Sequence, residues 1–183
     1  MILSLSSESV RNTIITNESG QVLYKTVTPF KFGSRTTTVY KIKSNANPTD
    51  MQDQFEVMAE IEWHTFESSK FRINGQEVLT KEFIPRHGVT GRKRTFTGPD
   101  GRPYRWDMHV RVVTLSTDDG SRTKMARSHR RSLGIIGPKR EPGLDVHPSV
   151  MPILDMVILT FIYVEKIRMD KERNARRGNG GGP

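Results

Sequence analysis

The chain has 183 residues, a net charge of +9, 34% apolar and 27% charged residues, and no cysteine. That length fits one domain with room for a sizeable core. The missing cysteine excludes disulfides, thiolate nucleophiles and cysteine-ligated zinc.

The opening "MILSLSSESVRN" has neither a basic leader nor an apolar run of signal-peptide length, so a cytoplasmic location is expected. Short strands broken by turns then follow. "NTIIT" (12–16) and "QVLYKTVT" (21–28) flank the turn "NESG", and "TTTVYKIKS" (36–44) is rich in β-branched residues. "NANPTDMQD" (45–53) reads as a polar loop. "FEVMAEIEWHT" (55–65) alternates Val57, Ala59, Ile61 and Trp63 on one face with Glu56, Glu60, Glu62 and His64 on the other.

"KFRINGQEVL" (70–79) centres on Asn74-Gly75, a strong hairpin signal. "GRKRTFTGPDGRPYRWDMHV" (91–110) repeats the plan around "GPDG". "RVVTLST" (111–117) and "TKMARSHR" (123–130) make another hairpin, and "LGIIG" and "GLDV" are shorter strand candidates. Such spacing predicts an antiparallel sandwich or barrel.

The period changes near the end. From about Ser149 to Met169 apolar residues occupy every side of a helical wheel; Ser149 is a potential cap, Pro152 fits a first turn, and basic residues gather toward the C-terminal end. The spacing predicts a helix over 149–172, followed by a disordered Gly-rich tail over 174–183. Asp155 and the Glu165-Lys166 pair leave too short an uncharged run to cross a bilayer, which needs about 20 apolar residues. A helix apolar all round is a buried helix. Met156, Val157, Leu159, Phe161 and Ile162 are expected inside the β-shell with Tyr163 nearly so, and Lys166 onward in water.

The blocks "RNTIITNESGQVLYK" (11–25), "AEIEWH" (59–64), "RTFTGPDGRPYRW" (94–106), "ARSHRRSLGI" (126–135) and "LDMVILTFIYVEKIRMDKER" (154–173) carry a family likeness. The chain resembles the tubby-like C-terminal superfamily, which includes tubby, LURP-one-related and phospholipid scramblase domains. More closely, it resembles a fungal family of unknown function placed in that superfamily. The resemblance implies one domain over 1–173, a mostly β, antiparallel tubby-like barrel of about twelve strands enclosing the C-terminal helix. It also implies association with lipids, since tubby domains recognise phosphoinositides. No phosphoinositide-contacting position carries over residue by residue. "STDDGSRT" (116–123), the nearest approach to an acidic calcium loop, reads as a hairpin turn.

Chemistry is sparse in the chain. There is no G-x-S-x-G elbow, P-loop, dinucleotide fingerprint or H-E-x-x-H, so neither enzyme activity nor a cofactor is expected. Glu60, Glu62 and His64 share a strand face and would be conceivable metal ligands, but an exposed polar face explains them as well, and no metal is expected. Trp63, Trp106 and Tyr104 are expected in the core or barrel wall. Asp155 is expected as a structural buried acid, sited near the helix N-terminus, paired with Arg or hydrogen-bonded.

Charge carries the functional signal. Residues 1–85 hold 9 Lys and Arg against 10 Asp and Glu, residues 86–140 hold 14 against 4, and residues 141–183 hold 6 against 6. The excess points to an anionic partner. Arg86, Arg92, Lys93, Arg94, Arg102, Arg127, Arg130 and Arg131 are the expected anion-binding residues, with an anionic, phosphoinositide-like lipid surface as the expected ligand. The protein would then be a monomeric, non-enzymatic, cytoplasmic module, peripheral at membranes. The alternatives are an acidic or phosphorylated protein partner, or nucleic acid stacked on Phe96, Tyr104 and Trp106. Nucleic acid is the less favoured, because those aromatics are few and expected inside.

Overall fold

A computed structural model describes residues 1–30, 35–43, 54–64, 67–132 and 140–178. The N-terminal part forms β1 (Ile2–Leu5), β2 (Thr13–Thr16), β3 (Val22–Val27), β4 (Arg35–Ile42), β5 (Phe55–Trp63), β6 (Lys70–Ile73) and β7 (Gln76–Leu79). A one-turn helix, α1 (Thr80–Phe83), leads to β8 (Arg86–His87), β9 (Lys93–Thr97), β10 (Pro103–Met108), β11 (Val113–Thr117), β12 (Lys124–His129) and β13 (Gly143–Val146). A 3-10 turn, Pro148–Ile153, precedes the long helix α2 (Leu154–Gly178).

Among the described residues thirteen strands form one sheet in the order β7-β6-β5-β4-β3-β2-β1-β13-β12-β11-β10-β9-β8. Chain neighbours pair antiparallel everywhere except between β7 and β8, and β1 pairs with β13 through Ile2↔Asp145 and Leu3↔Leu144. The ladder stays open between β7 and β8, which α1 joins. The expected mostly β, antiparallel fold with one long C-terminal helix is present, its strands forming an open sheet rather than a closed ladder. Closure fails because β8 spans only two residues and pairs only with β9, while the chain after β7 turns into α1.

Local chemistry explains the turns and one change of face. Asn74 (φ 50°) and Gly75 (φ 77°) supply the two left-handed positions of the β6–β7 hairpin. In β5 the ladder with β4 slips, with Val39 opposite Ala59 and Tyr40 opposite Val57. Met58 is the extra residue of this bulge, and it reverses the facing of the residues before it. Val57, expected inside, is therefore exposed, whereas Ala59, Ile61 and Trp63 are buried.

The inner face of the sheet lines α2 from several directions. Trp63 of β5 stacks on Tyr163, Phe71 of β6 meets the same ring edge-on, and Trp106 of β10 packs on Phe161. Tyr24 of β3 donates to Asp155 at 2.6 Å. Strands so far apart in the sheet reach one helix only because the sheet curls around it. Val157 through Val164 are all buried, as the apolar wheel predicts, and Met156 is partly buried against the core. Trp106, Tyr104 and Trp63 are core residues as expected.

The helix limits differ from expectation. Residues 148–153 form the 3-10 turn, capped by His147, whose ring accepts from the Ser149 amide, so Ser149 is not the cap. At the other end α2 runs to Gly178, which places residues 174–178 in helix; 179–183 lie outside the described residues. Burial also continues past Lys166, because Glu165 and Arg168 are buried as an ion pair at 2.6 Å. "GLDV" forms β13, while "LGIIG" and the loop 45–53 lie outside the described residues. Among the described residues no helix is long and apolar enough to cross a membrane.

Candidate functional site

The C-terminal half of α2 emerges from the sheet through a rim of grooves. The largest, about 800 Å³, lies at the open seam, with Trp63, Tyr163 and Ile167 as its apolar part and Lys81, Arg86, Arg94, Lys166 and Lys171 around it. A second, of about 370 Å³, is bounded by Arg92, Val110, Arg111, Lys171 and Arg176. A third, of about 240 Å³, lies between β12 and the helix, with His129, Arg130, Glu165, Arg168 and Glu172. The fourth, of about 380 Å³, is lined by Arg111, Arg127, Arg130, Arg131, Arg140 and Asp145. Lys171, Arg111, Arg130, Arg168 and Arg176 each border two grooves, so the four are contiguous.

Most of the carboxylates along this rim are already neutralised. Glu172 is held by Arg130, by Arg168 at 2.8 Å and by Arg176 at 2.8 Å. Asp170 pairs with Lys166, and Asp145 with Arg140 at 2.6 Å. Burial alone would raise the Glu172 pKa, but the hydrogen bonds from Arg130 and Arg168 and their charges bring it down to about 2. Burial works against the charge on Arg168, yet its bonds to Glu165 and Glu172 raise its pKa. Arg11 is lowered by burial and then by the like charges of Arg35 and Arg173. The His129 pKa is lowered, first by burial and then by Arg140. Its ring nitrogens are buried with no hydrogen-bond partner, and the nearest carboxylate, Asp145, is 3.5 Å away.

The eight expected anion-binding residues do not form one cluster. Arg86 and Arg92 border the rim grooves. Lys93 lies on the outer face of β9, opposite Asp107. Arg94 points inward instead: it sits 5.7 Å over the Tyr163 ring and donates to the Ile84 carbonyl at 3.2 Å, and its Nε is buried without a partner. Arg102 lies in the turn before β10, at the opposite end of that strand from Met108 and the rim. Arg127 projects from β12 opposite Asp145, Arg130 grips Glu172, and Arg131 pairs with Glu141 at 2.8 Å. Arg86, Arg92, Lys93, Arg102, Arg111 and Arg127 make no ion pair among the described residues.

Sequence reasoning missed Arg111, Arg140, Lys166, Lys171, Arg173 and Arg176. The helical members stood in a segment of zero net charge, although cations in the last turns of a helix are a readable signal. Asp155 sits in the first turn of α2, as expected, but its side chain is half exposed rather than buried, and its cation is Lys41 at 2.7 Å. The conceivable metal face is engaged otherwise: Glu60 binds Arg72, and Glu62 binds His64 at 2.8 Å. No group of three or more His, Asp or Glu suited to a metal occurs among the described residues. "STDDGSRT" is a hairpin turn, with Asp119 accepting from Thr117, Ser121 and the Arg122 amide.

Residues 8–170 match the profile of a family described as "Family of unknown function (DUF6593)". The chain belongs to the DUF6593 family. Neither a curated protein nor a solved structure matches it. The DUF6593 match takes in β2 through β13 and most of α2, whereas β1 and the rim residues Lys171, Glu172 and Arg176 lie outside it.

Proposed function

We propose that the domain is a non-enzymatic module that holds anionic, phosphoinositide-like lipid headgroups against the basic rim around α2, and so attaches peripherally to membranes. On this reading the curled sheet is a tubby-like barrel left open at one seam. The observation that carries the proposal is the continuity of the four grooves, with Arg86, Arg92, Arg111 and Arg127 unpaired along them. Each basic residue near an anionic leaflet contributes about 1 kcal/mol. Guanidinium forks bind phosphates as well as carboxylates in bidentate fashion. The rim acids Glu165, Asp170, Glu172 and Asp145 are each held by a cation, which favours a binding surface over a general acid or base.

Nucleic acid has less support, because Phe96, Tyr104 and Trp106 are buried and offer no platform for stacking bases. The test is sedimentation with phosphatidylcholine vesicles, with and without a phosphoinositide, across a salt series. Wild-type protein should pellet only with the anionic vesicles, and Arg92→Ala/Arg111→Ala/Arg127→Ala should stay in solution with unchanged stability. Equal pelleting of the triple variant would place the site elsewhere. Binding of an acidic phosphopeptide without vesicle binding would replace the lipid by a protein partner.

A further inference from the structure

Two of the most exposed apolar side chains, Val89 and Val110, stand on neighbouring loops of the rim. Val89 is fully exposed in the β8–β9 turn, which the Gly91 amide closes onto the Gly88 carbonyl at 3.2 Å. Val110 is two-thirds exposed in the β10–β11 turn, where the His109 amide bonds the Val112 carbonyl at 2.9 Å. The loops are tied together and to the helix. The Met108 amide bonds the Arg92 carbonyl at 2.9 Å, Lys171 donates to the Thr90 carbonyl at 3.2 Å, and Arg168 donates to the Val110 carbonyl at 3.0 Å.

Neither valine packs on the core, so the fold does not account for them. Both are flanked by unpaired cations, with Arg92 following the first loop and Arg111 following the second. An apolar tip flanked by a cation matches one environment closely, the boundary between anionic headgroups and acyl chains. A folded nucleic acid or an acidic peptide would meet the cations but leave the valines in water.

We infer that Val89 and Val110 enter the acyl boundary of an anionic bilayer while Arg92 and Arg111 take the phosphates. This orients the domain with the C-terminal end of α2 toward the membrane. The inference rests on the lipid reading of the rim and adds the apolar half of the contact. Tied to each other through the Met108 amide and the Arg92 carbonyl, and to α2 through the Lys171 and Arg168 side chains, the two loops present both tips on the same rim.

The test compares wild type, Val89→Ser/Val110→Ser and Arg92→Ala/Arg111→Ala. Each is measured against vesicles of phosphatidylcholine with a phosphoinositide, and against the soluble inositol phosphate headgroup. Both valines are exposed, so the serine variant should fold normally. It should keep wild-type headgroup affinity while its vesicle partitioning falls about tenfold. Val89→Trp should add emission that shifts blue on vesicles and is quenched by brominated acyl chains. The arginine variant should lose both ligands.

Unchanged vesicle partitioning of the serine variant, with no quenching at position 89, overturns the insertion but leaves the basic rim as the headgroup site. Vesicle binding by neither wild type nor variants overturns both readings. Headgroup binding without vesicle binding overturns the membrane orientation and leaves a soluble phosphate ligand.

Discussion

The indole nitrogen of Trp106 donates a 3.0 Å hydrogen bond to the hydroxyl of Thr160, joining the inner face of β10 to the middle of α2 where neither residue sees solvent. The Thr160 hydroxyl in turn donates to the Met156 carbonyl at 2.8 Å, one turn back along the helix. A buried donor that loses its acceptor keeps its full desolvation penalty, about 1–3 kcal/mol. Thr160→Val, close in shape, should therefore cost about that much in urea unfolding. Trp106→Phe should be less harmful in the Thr160→Val background than alone, because the orphaned donor is then gone. Additive costs in that double-mutant cycle would show that the bond contributes nothing specific.

Asp155 gathers two strands onto the start of α2, accepting from Tyr24 at 2.6 Å and from Lys41 at 2.7 Å. Burial first, and then the hydrogen bond to Asp155, push the Tyr24 phenol far above its usual value of 10. A spectrophotometric titration should find Tyr24 still protonated beyond even Tyr104, whose burial and hydrogen bond to Asp100 push it up to about 12. Asp155→Ala should bring the Tyr24 phenol part of the way back toward 10, since its burial remains, and lower stability by about 1–2 kcal/mol, mostly through the stranded phenol. The half-exposed ion pair with Lys41 should add little to that loss.

Glu172 contributes to the acid side of the stability profile. Its pKa falls from an ordinary 4.5 to about 2, so the stabilisation it confers is complete above about 4.5 and is lost as the pH drops toward 2. After solvent screening at the helix flank, this is on the order of 1 kcal/mol. Glu172→Gln should destabilise at neutral pH by that amount and flatten the acid side of the stability profile. A variant profile parallel to wild type between pH 5 and pH 2 would refute the linkage.

Gly143 is the tightest point of the central ladder. A Cβ there would lie 2.2 Å from the Leu3 carbonyl oxygen and 2.6 Å from Cε1 of His129. The oxygen belongs to the backbone of β1, so it cannot swing aside as a side-chain end would. Gly143→Ala should break the β1–β13 pairing locally and cost more than about 3 kcal/mol. Proton exchange should report the damage as loss of protection on both strands. A variant with unaltered melting would mean that β1 shifts freely.

The parts of this fold that were readable in the chain are those fixed by near neighbours. Asn74-Gly75 and the "GPDG" turn each place a hairpin, and the all-round apolar run through Val164 places a buried helix. What escaped depends on distant partners. "ILSL" becomes β1 only because β2 and β13 lie on either side of it, and Val57 faces out only because β4 and β5 slip at Met58. Arg94 was legible after all: two residues before the core residue Phe96 in one strand, it shares its inward face. The continuity of the rim was not legible, since it joins β8, β12 and α2 through tertiary placement alone. The helix past Lys166 was expected as far as 172, but its burial there was only partly legible, through Glu165, Arg168 and Glu172 at helical spacings of three and four.

The pairing of β1 with β13 also dictates an order of events during synthesis. Ile2 waits for Asp145, and the helix that fills the interior comes later still. Until then the strands already made carry an unpaired edge at β1 and an unfilled inner face, both hazards for self-association. A ladder closed across such a separation is slow to nucleate. Folding in this protein should therefore finish with enclosure of α2, and ribosome-bound chains that stop short of residue 143 should be recognised by chaperones as incomplete.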